Sequence, residues 1–412
     1  MELLNYMLRR FVRTGTLRVI DASGRQHVHA ATDYPQATIR LRDTRLYRAL
    51  FFNPELRAGE AYMDESLTIE EGTLRDFLLI FALNRTNLRS QPLQQAIRAT
   101  YRSLRQFYQH NPAARARKNV AHHYDVSNEL YRLFLDSDLN YSCAYFLKPD
   151  DSLEAAQQNK LRLVAAKLLL RPGLKVLDIG SGWGGLAMFL AEKAGVEVTG
   201  VTLSREQHEL ATRRAHERGL ADRVRFELKD YREVSGTYDR IVSVGMFEHV
   251  GVGHYPEFFA KVASLLAADG VALLHSIGRK GGPGSTGAWV RKYIFPGGYS
   301  PALSETLAAI ERSQLWVTDI EILRLHYAET LLAWERRFQI HRAAAAALLD
   351  ERFCRMWEFY LIASEFSFRY GKHMVFQIQL AKAVDAVPLT RGYIAAAEAD
   401  LAMRARLEEH SP

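Results

Sequence analysis

From Leu174 to Gly278 short apolar runs alternate with longer helical ones, and this alternation restricts the fold more than any other feature of the chain. "LKVLDIG" precedes "WGGLAMFLAEKAG", which Gly195 closes. "VEVTGVTL" precedes "SREQHELATRRAHERGL", where Ser204 and Gln207 read as a capping box. "VRFELKD", "YDRIVSVG" and "GVALLHSIG" supply three further strands, and "MVFQIQLAK" a last one. Strands alternating with helices argue a parallel sheet covered on both faces. Upstream, "HHYDVSNELYRLFLDS" is a helix that Ser127 would cap, and "SLEAAQQNKLRLVAAKLLL" is a long helix. "RKGGPGSTGAWVRKYIFPGGYSP" breaks the pattern and reads as a loop or lid over the sheet's C-terminal edge.

Residues 1 to about 90 have a different texture. Strand-like runs ("QATIRLRD", "ESLTIEEG") mix with a helical one ("TLRDFLLIFALN"), as in a small α+β unit. The polar, basic "HNPAARARKNV" suits a linker. The boundaries expected are therefore 1–110 for an N-terminal domain, 111–120 for a linker and 121–412 for the main domain. Residues 1–118 hold 19 Lys and Arg against 11 Asp and Glu, so the chain's formal charge of +7 lies wholly in its first part. Such a segment suits an anionic partner, either nucleic acid or a membrane surface. In "LLNYMLRRFV", Leu3, Leu4, Met7 and Phe11 lie near one helical face; an interfacial helix and an ordinary packed helix both fit.

No apolar run reaches the roughly 18 residues of a membrane span, and the N-terminus lacks the apolar core and cleavage site of a secretory leader. Two cysteines, Cys143 and Cys354, are too few for a disulfide framework or zinc cluster, so no metal is expected and cytosolic free thiols are the simplest reading.

"VLDIGSGWGG" places Gly180, Gly182, Gly184 and Gly185 between the first strand and its helix, where glycine permits a tight turn and close approach to a ligand. Asp178 inside the strand end and the aromatic Trp183 fit the S-adenosylmethionine site of class I methyltransferases better than a dinucleotide site. The fold expected is α/β: a Rossmann-like class I methyltransferase domain with a mostly parallel seven-stranded sheet, beside the small N-terminal α+β domain. The second strand departs from the common pattern. It ends without the acidic residue that usually binds ribose hydroxyls, so Thr202 and Gln207 would have to take over part of that role; Asp230-Tyr231 after the third strand fits either a cover for the adenine or, for Tyr231, a packed aromatic.

Seven motifs then occur in a set order: "NVAHHYDVSNELYRLFLDSDLNYSCAYF", "LDIGSGWGGLAMFLAE", "GVTLSREQ", "IVSVGMFEHVG", "YIFPGG", "HYAETLLAW" and "MWEFYLIASEFSFRYG". In this the chain resembles the cyclopropane-fatty-acyl-phospholipid synthase family from about residue 118 to 382. Its N-terminal unit resembles, more loosely, the extra domain of the phospholipid-acting members. The resemblance implies that an acyl-chain alkene attacks the sulfonium methyl of S-adenosylmethionine, and that the added methyl loses a proton to bound bicarbonate as the ring closes. It implies a bicarbonate pocket of Cys143, Glu248, His275, Ile277 and Tyr327. It implies cofactor contacts at Tyr141, Ser142, Gly180, Gly182, Thr202, Leu203, Gln207, Tyr231 and Val244, with Tyr124 and Phe247 on the substrate side. The partners implied are unsaturated phospholipid and an anionic membrane surface rather than nucleic acid, for a cytoplasmic enzyme held peripherally at the inner face of the membrane, with a homodimer as the family's habit. Taken singly these residues have plainer readings: Cys143 as a packed thiol, His275 as a satisfied core histidine, Tyr327 as packing, and Phe353, Trp357 and Tyr360 as core. Three rival functions stand beside the first: a methylene-branched acyl product, N-methylation of a small amine, and non-catalytic lipid binding.

Overall fold

The computed structural model describes residues 1–89 and 128–409. The expected linker, Ser127 and Tyr124 lie outside them. The chain forms two compact units, one of residues 1–108, 284–296 and 331–372, the other of residues 109–283, 297–330 and 373–412.

The first unit carries a four-stranded sheet ordered β2-β1-β3-β4, with β1 (Thr16–Ile20), β2 (Gln26–Ala30), β3 (Gln36–Leu41) and β4 (Leu67–Glu71). The expected runs supply β3 and β4. β1 and β2 were not foreseen, because β2 is an exposed edge strand of polar residues with little alternation to read. The helix Glu2–Phe11 packs as an ordinary amphipathic helix. Leu4, Met7, Leu8 and Phe11 are buried, with Phe11 4.9 Å from Phe81, whereas Leu3 is exposed. Asn84, fully buried on the helix Leu74–Arg89, accepts the N–H groups of Arg13 and Thr14 and donates to two carbonyls, which satisfies the turn after that first helix. The glycine-rich segment is not all loop: Ala288–Tyr293 is helical, and Trp289 is buried against Gly59 and Phe359. A side chain at position 59 would collide with that indole, which is why glycine stands there. The late aromatics Trp357, Phe359, Tyr360 and Phe366 are core.

The second unit is built on a seven-stranded sheet ordered β10-β11-β9-β8-β5-β6-β7. Its strands are β5 (Lys175–Ile179), β6 (Glu197–Thr202), β7 (Val224–Leu228), β8 (Tyr238–Val244), β9 (Leu266–Arg279), β10 (Trp316–Leu323) and β11 (His373–Ala381). β5 to β9 pair in parallel, and β11 runs antiparallel between β9 and β10. β10 was not located beforehand; "WVTDIEIL" is a half-exposed edge strand carrying two acids. Neighbouring residues of one strand feed opposite cores, as the pleat requires. Leu177, Ile241 and Leu274 join one apolar cluster with the helices Tyr255–Leu265 and Leu303–Glu311. Val176, Val242 and Leu273 join another with the helices Leu153–Lys167, Gly185–Ala194 and Arg205–Glu217. The capping box is only half formed. Ser204 Oγ accepts the N–H of Gln207, but the Gln207 side chain turns to Thr202, whose hydroxyl also takes the N–H of Ser204.

Most of the positive charge falls outside the described residues. Residues 90–118 contain six basic side chains (Arg98, Arg102, Arg105, Arg115, Arg117, Lys118) and no acidic ones. Among the described residues no helix is long and apolar enough to cross a membrane.

Candidate active site

The strand order reverses at β5, whose neighbours β6 and β8 continue in opposite directions. In open α/β sheets that reversal leaves a crevice at the strands' C-terminal ends. A cavity lies there, and all ten residues expected to contact the cofactor line it: Tyr141, Ser142, Asp178, Gly180, Gly182, Thr202, Leu203, Gln207, Tyr231 and Val244. Its floor is the glycine turn. Gly180 and Ser181 both donate to the carbonyl of Val201, and Gly180 and Gly182 have φ of 86° and 54°. A Cβ at Gly182 would meet nothing within 4 Å, so this backbone faces open space.

At the tip of β6, Thr202 donates its hydroxyl to Gln207 Oε1 at 2.9 Å. The bond consumes the hydroxyl proton and leaves the Gln207 amide nitrogen as the donor. Tyr231 packs edge-on against Phe258, and Arg232, gripped by Asp230 at 2.7 Å, lies over its ring. Trp183 is buried beside Tyr131 and donates to Asn128 at 2.7 Å.

Two further lining residues carry charge. Asp178 is 2 % exposed, and its Oδ2 has no hydrogen-bond partner among the described residues. Burial pushes its carboxyl up to about 7, against the pull of Lys160. Lys160 is also buried, and burial brings its ammonium down to about 8 despite the carboxylate of Asp136. Lys160 Nζ donates to Asn140 Oδ1 and Ser142 Oγ, both at 3.1 Å. One turn earlier Gln157 donates to the carbonyls of the same two residues. The segment carrying Tyr141, Ser142 and Cys143 is thus clamped by one helix. Neither residue was singled out from sequence. The available signal was three polar side chains, Gln157, Lys160 and Lys167, at helical spacing within an otherwise apolar stripe.

The five residues expected around a small anion lie outside this lining, although their near neighbours in the chain, Ser142, Met246 and His249, and Val244, the strand partner of His275, belong to it. β8 ends in a single 3-10 turn, Phe247–His249, which delivers Glu248. Glu248 Oε1 accepts the N–H of Ile277 at 2.6 Å, while Oε2 is buried without a partner among the described residues. Burial pushes this carboxyl up to about 7, against the Ile277 N–H that favours its charged form. His275 lies two residues before Ile277 on the same face of β9. Burial and two nearby ammonium groups hold it down at about 3, so it is neutral at pH 7. Cys143 is fully buried, with its thiol donating to its own peptide's carbonyl neighbour at Ala144. Burial raises its pKa, so it is a thiol and not a nucleophile. The N–H groups of Ala144 and Phe146 dock onto Thr330 and His326, which brings the first turn of the helix His326–Ile340, with buried Tyr327, to this segment. Phe247 sits elsewhere: it is fully buried against Tyr255, Phe258 and Phe259, in the core rather than along the cavity.

The chain is similar to known proteins of one family. The family model "Mycolic acid cyclopropane synthetase" matches residues 111–378. The chain is 42 % identical to the cyclopropane-fatty-acyl-phospholipid synthase of Escherichia coli over 263 residues, 64 % of this chain and 67 % of that one. It is 35 % identical to a tuberculostearic acid methyltransferase of Mycobacterium tuberculosis over 391 residues, 92 % of this chain and 90 % of that one. A solved structure of the mycolic acid cyclopropane synthase CmaA1, complexed with SAH and CTAB, superimposes with a TM-score of 0.62 at 35 % identity, covering 66 % of this chain and 99 % of that one.

Proposed function

The chain belongs to the mycolic acid cyclopropane synthetase family of S-adenosylmethionine-dependent methyltransferases, and on that premise we propose that it adds a methylene to the cis double bond of an unsaturated acyl chain in membrane phospholipid, forming a cyclopropane ring, with bicarbonate as the proton acceptor. The observation that carries the reading is Glu248: an oriented, buried carboxylate with one oxygen on the Ile277 N–H and the other without a hydrogen-bond partner among the described residues, in the turn whose Met246 and His249 line the cofactor cavity.

The cavity fits the cofactor through the open backbone face of Gly182 and the orphaned Oδ2 of Asp178, and S-adenosylmethionine when bound supplies an electrophilic methyl. The remaining work falls to the protein. An alkene is a weak nucleophile, so Tyr141, Ser142 and the glycine turn must hold the reactants aligned. The Asn140–Cys143 segment is rigid because Gln157 and Lys160 hold it. Burial of Glu248, His275 and Cys143 keeps water from a positively charged transition state. The group that accepts the final proton must be held without carrying excess charge. A carboxyl with a pKa of about 7 shares a proton with a bound anion, and a neutral His275 donates to it. The same reading puts the enzyme on the cytoplasmic face of the membrane, with its basic N-terminal domain binding anionic headgroups.

A second product has its own support, since the relative matched over 92 % of this chain is a tuberculostearic acid methyltransferase by name. In that reading the proton is lost without ring closure and a methylene branch remains. One experiment separates the two. Purified protein is incubated with S-adenosylmethionine, bicarbonate and vesicles of unsaturated phospholipid, and the fatty esters are analysed by mass spectrometry and proton NMR. A gain of one methylene with upfield ring protons supports cyclopropanation; vinylidene protons support the branched product. No gain overturns both.

A further inference from the structure

We infer that Lys167 and Gln377 set the tautomer of His275, holding its ring in the Nε2–H form so that the site presents a neutral donor where the alternative tautomer would present a lone pair. The inference rests on the anion-site reading above for its function, but not for its geometry.

Three residues stand in one row across the sheet. The antiparallel register of β9 and β11 sets His275 opposite Gln377, and that of β11 and β10 sets Gln377 opposite Glu321. Directly opposed residues share a face of the sheet. Lys167, the last residue of the helix Leu153–Lys167, lies against this row with its side chain fully buried. Its ammonium donates to Gln377 Oε1 at 2.7 Å and to the Glu321 carboxylate. Its own carbonyl accepts from Gln379, two residues further along β11, so the main chain is anchored as well.

The donor inventory then leaves one arrangement. An ammonium can only donate, so the amide oxygen of Gln377 must face Lys167. The other end of that amide is an NH2, which also only donates, and it lies 3.1 Å from His275 Nδ1. Nδ1 must therefore offer its lone pair. Burial and the two ammonium groups of Lys160 and Lys167 keep the ring neutral, so its single proton resides on Nε2. Reversing the Gln377 amide would set NH2 against an ammonium in a buried site and leave both short of an acceptor. Glu321 keeps Lys167 charged and in place. The chemistry also explains an amide at position 377 in place of an acid. A glutamate there would accept a proton from Nδ1, move the lone pair to Nε2 and turn it toward a negatively charged guest. Lys167, Gln377 and Glu321 are positioning residues, acting through His275.

The test reads the tautomer directly. The full-length protein is labelled with 15N-histidine, and the His275 ring signals are assigned by their loss in His275→Gln. Long-range 1H–15N spectra distinguish a protonated from an unprotonated ring nitrogen. In the unmodified protein Nδ1 should be unprotonated and Nε2 protonated, and Gln377→Glu should reverse this. Kinetically, Gln377→Glu should raise the KM for bicarbonate by about tenfold to a hundredfold, the range of one hydrogen bond to a charged group, with S-adenosylmethionine affinity unchanged. A proton on Nδ1 in the unmodified protein overturns the inference, whatever Gln377→Glu does. If the tautomer is as stated but turnover is indifferent to bicarbonate, the tautomer device stands and the anion-site reading falls.

Discussion

Two buried carboxylates of the first unit and two of the second are held in opposite ways. In the first, Glu60 uses both oxygens, one on Arg57 at 2.7 Å and the other on Lys292 at 2.6 Å and the Tyr293 hydroxyl. Burial alone would raise its pKa, yet these partners outweigh it and the result is a lowering. Glu365, 2 % exposed, takes Arg75 and Arg369, each at 2.6 Å, on separate oxygens. In the second unit Asp178 and Glu248 are as deeply buried, and each leaves an oxygen without a hydrogen-bond partner among the described residues. Both are pushed up to about 7. Burial of an acid is therefore not what marks the site here; burial with an oxygen left unbonded among the described residues is. The first arrangement contributes to the fold, and the second costs stability that a bound ligand recovers.

The contrast is sharpest for Glu248→Gln. Gln keeps the acceptor for the Ile277 N–H, so the fold should survive, while kcat/KM in the vesicle assay falls by about a thousandfold. A variant that kept its activity but unfolded readily would reverse the assignment. A second prediction compares the same pair in denaturant titrations across pH. The native carboxyl titrates near 7 and the unfolded one near 4.5, so between these values the native state holds a proton that the unfolded state has lost. Wild-type stability contributed by this group therefore falls as pH rises through that window and is level above it. The Gln variant, which does not titrate, should gain on the wild type from pH 4.5 to 7 by up to about 3 kcal/mol. A gap independent of pH would mean that Glu248 is ionised in the native state.

Glu365→Gln should behave in the opposite sense. It removes the carboxylate from Arg75, which keeps Glu335 at 3.5 Å, and from Arg369; they are 32 % and 23 % exposed and so regain some water. The loss should be about 2 kcal/mol of stability, below the full cost of breaking a buried pair, with S-adenosylmethionine affinity unchanged by calorimetry. The smallest effect belongs to Gly182→Ala. Its Cβ would enter open space in the cavity from a left-handed backbone. Cofactor affinity should fall about tenfold, with about 1 kcal/mol of stability lost to backbone strain.

The cofactor cavity was largely legible in advance because its chemistry is local. The turn between β5 and its helix needs glycines at set spacing, and "LDIGSGWGG" states them within one short stretch. Asp178 could be named as an acid at a strand end, but not as an acid without a partner, since that depends on what the neighbouring chain fails to supply. The exposed edges read poorly. β2 and β10 carry polar and charged residues on strands with one free side, so the alternation that identifies half-buried strands is weak. Ser204 and Gln207 had the spacing of a capping box, yet Thr202 competes for the glutamine amide and wins, because strand β6 ends with its hydroxyl in reach. Phe247, one residue from Glu248, falls into the core because the 3-10 turn sends successive side chains in different directions.

By itself the sequence determined the strand–helix alternation, and with it the parallel sheet, the glycine turn at β5 and the order of motifs that marks the family. Each of these depends on residues close together along the chain, where spacing alone sets which face a side chain occupies. The tertiary structure alone decided which buried polar groups are satisfied. Glu248 meets Ile277 across 29 positions, His275 meets Gln377 across 102, and Gln377 meets Lys167 across 210. Those encounters follow from the lateral order and register of the strands, above all from the reversed β11 between β9 and β10. Protonation state and tautomer depend on the nearest donor in space, and no local pattern of residues specifies that donor.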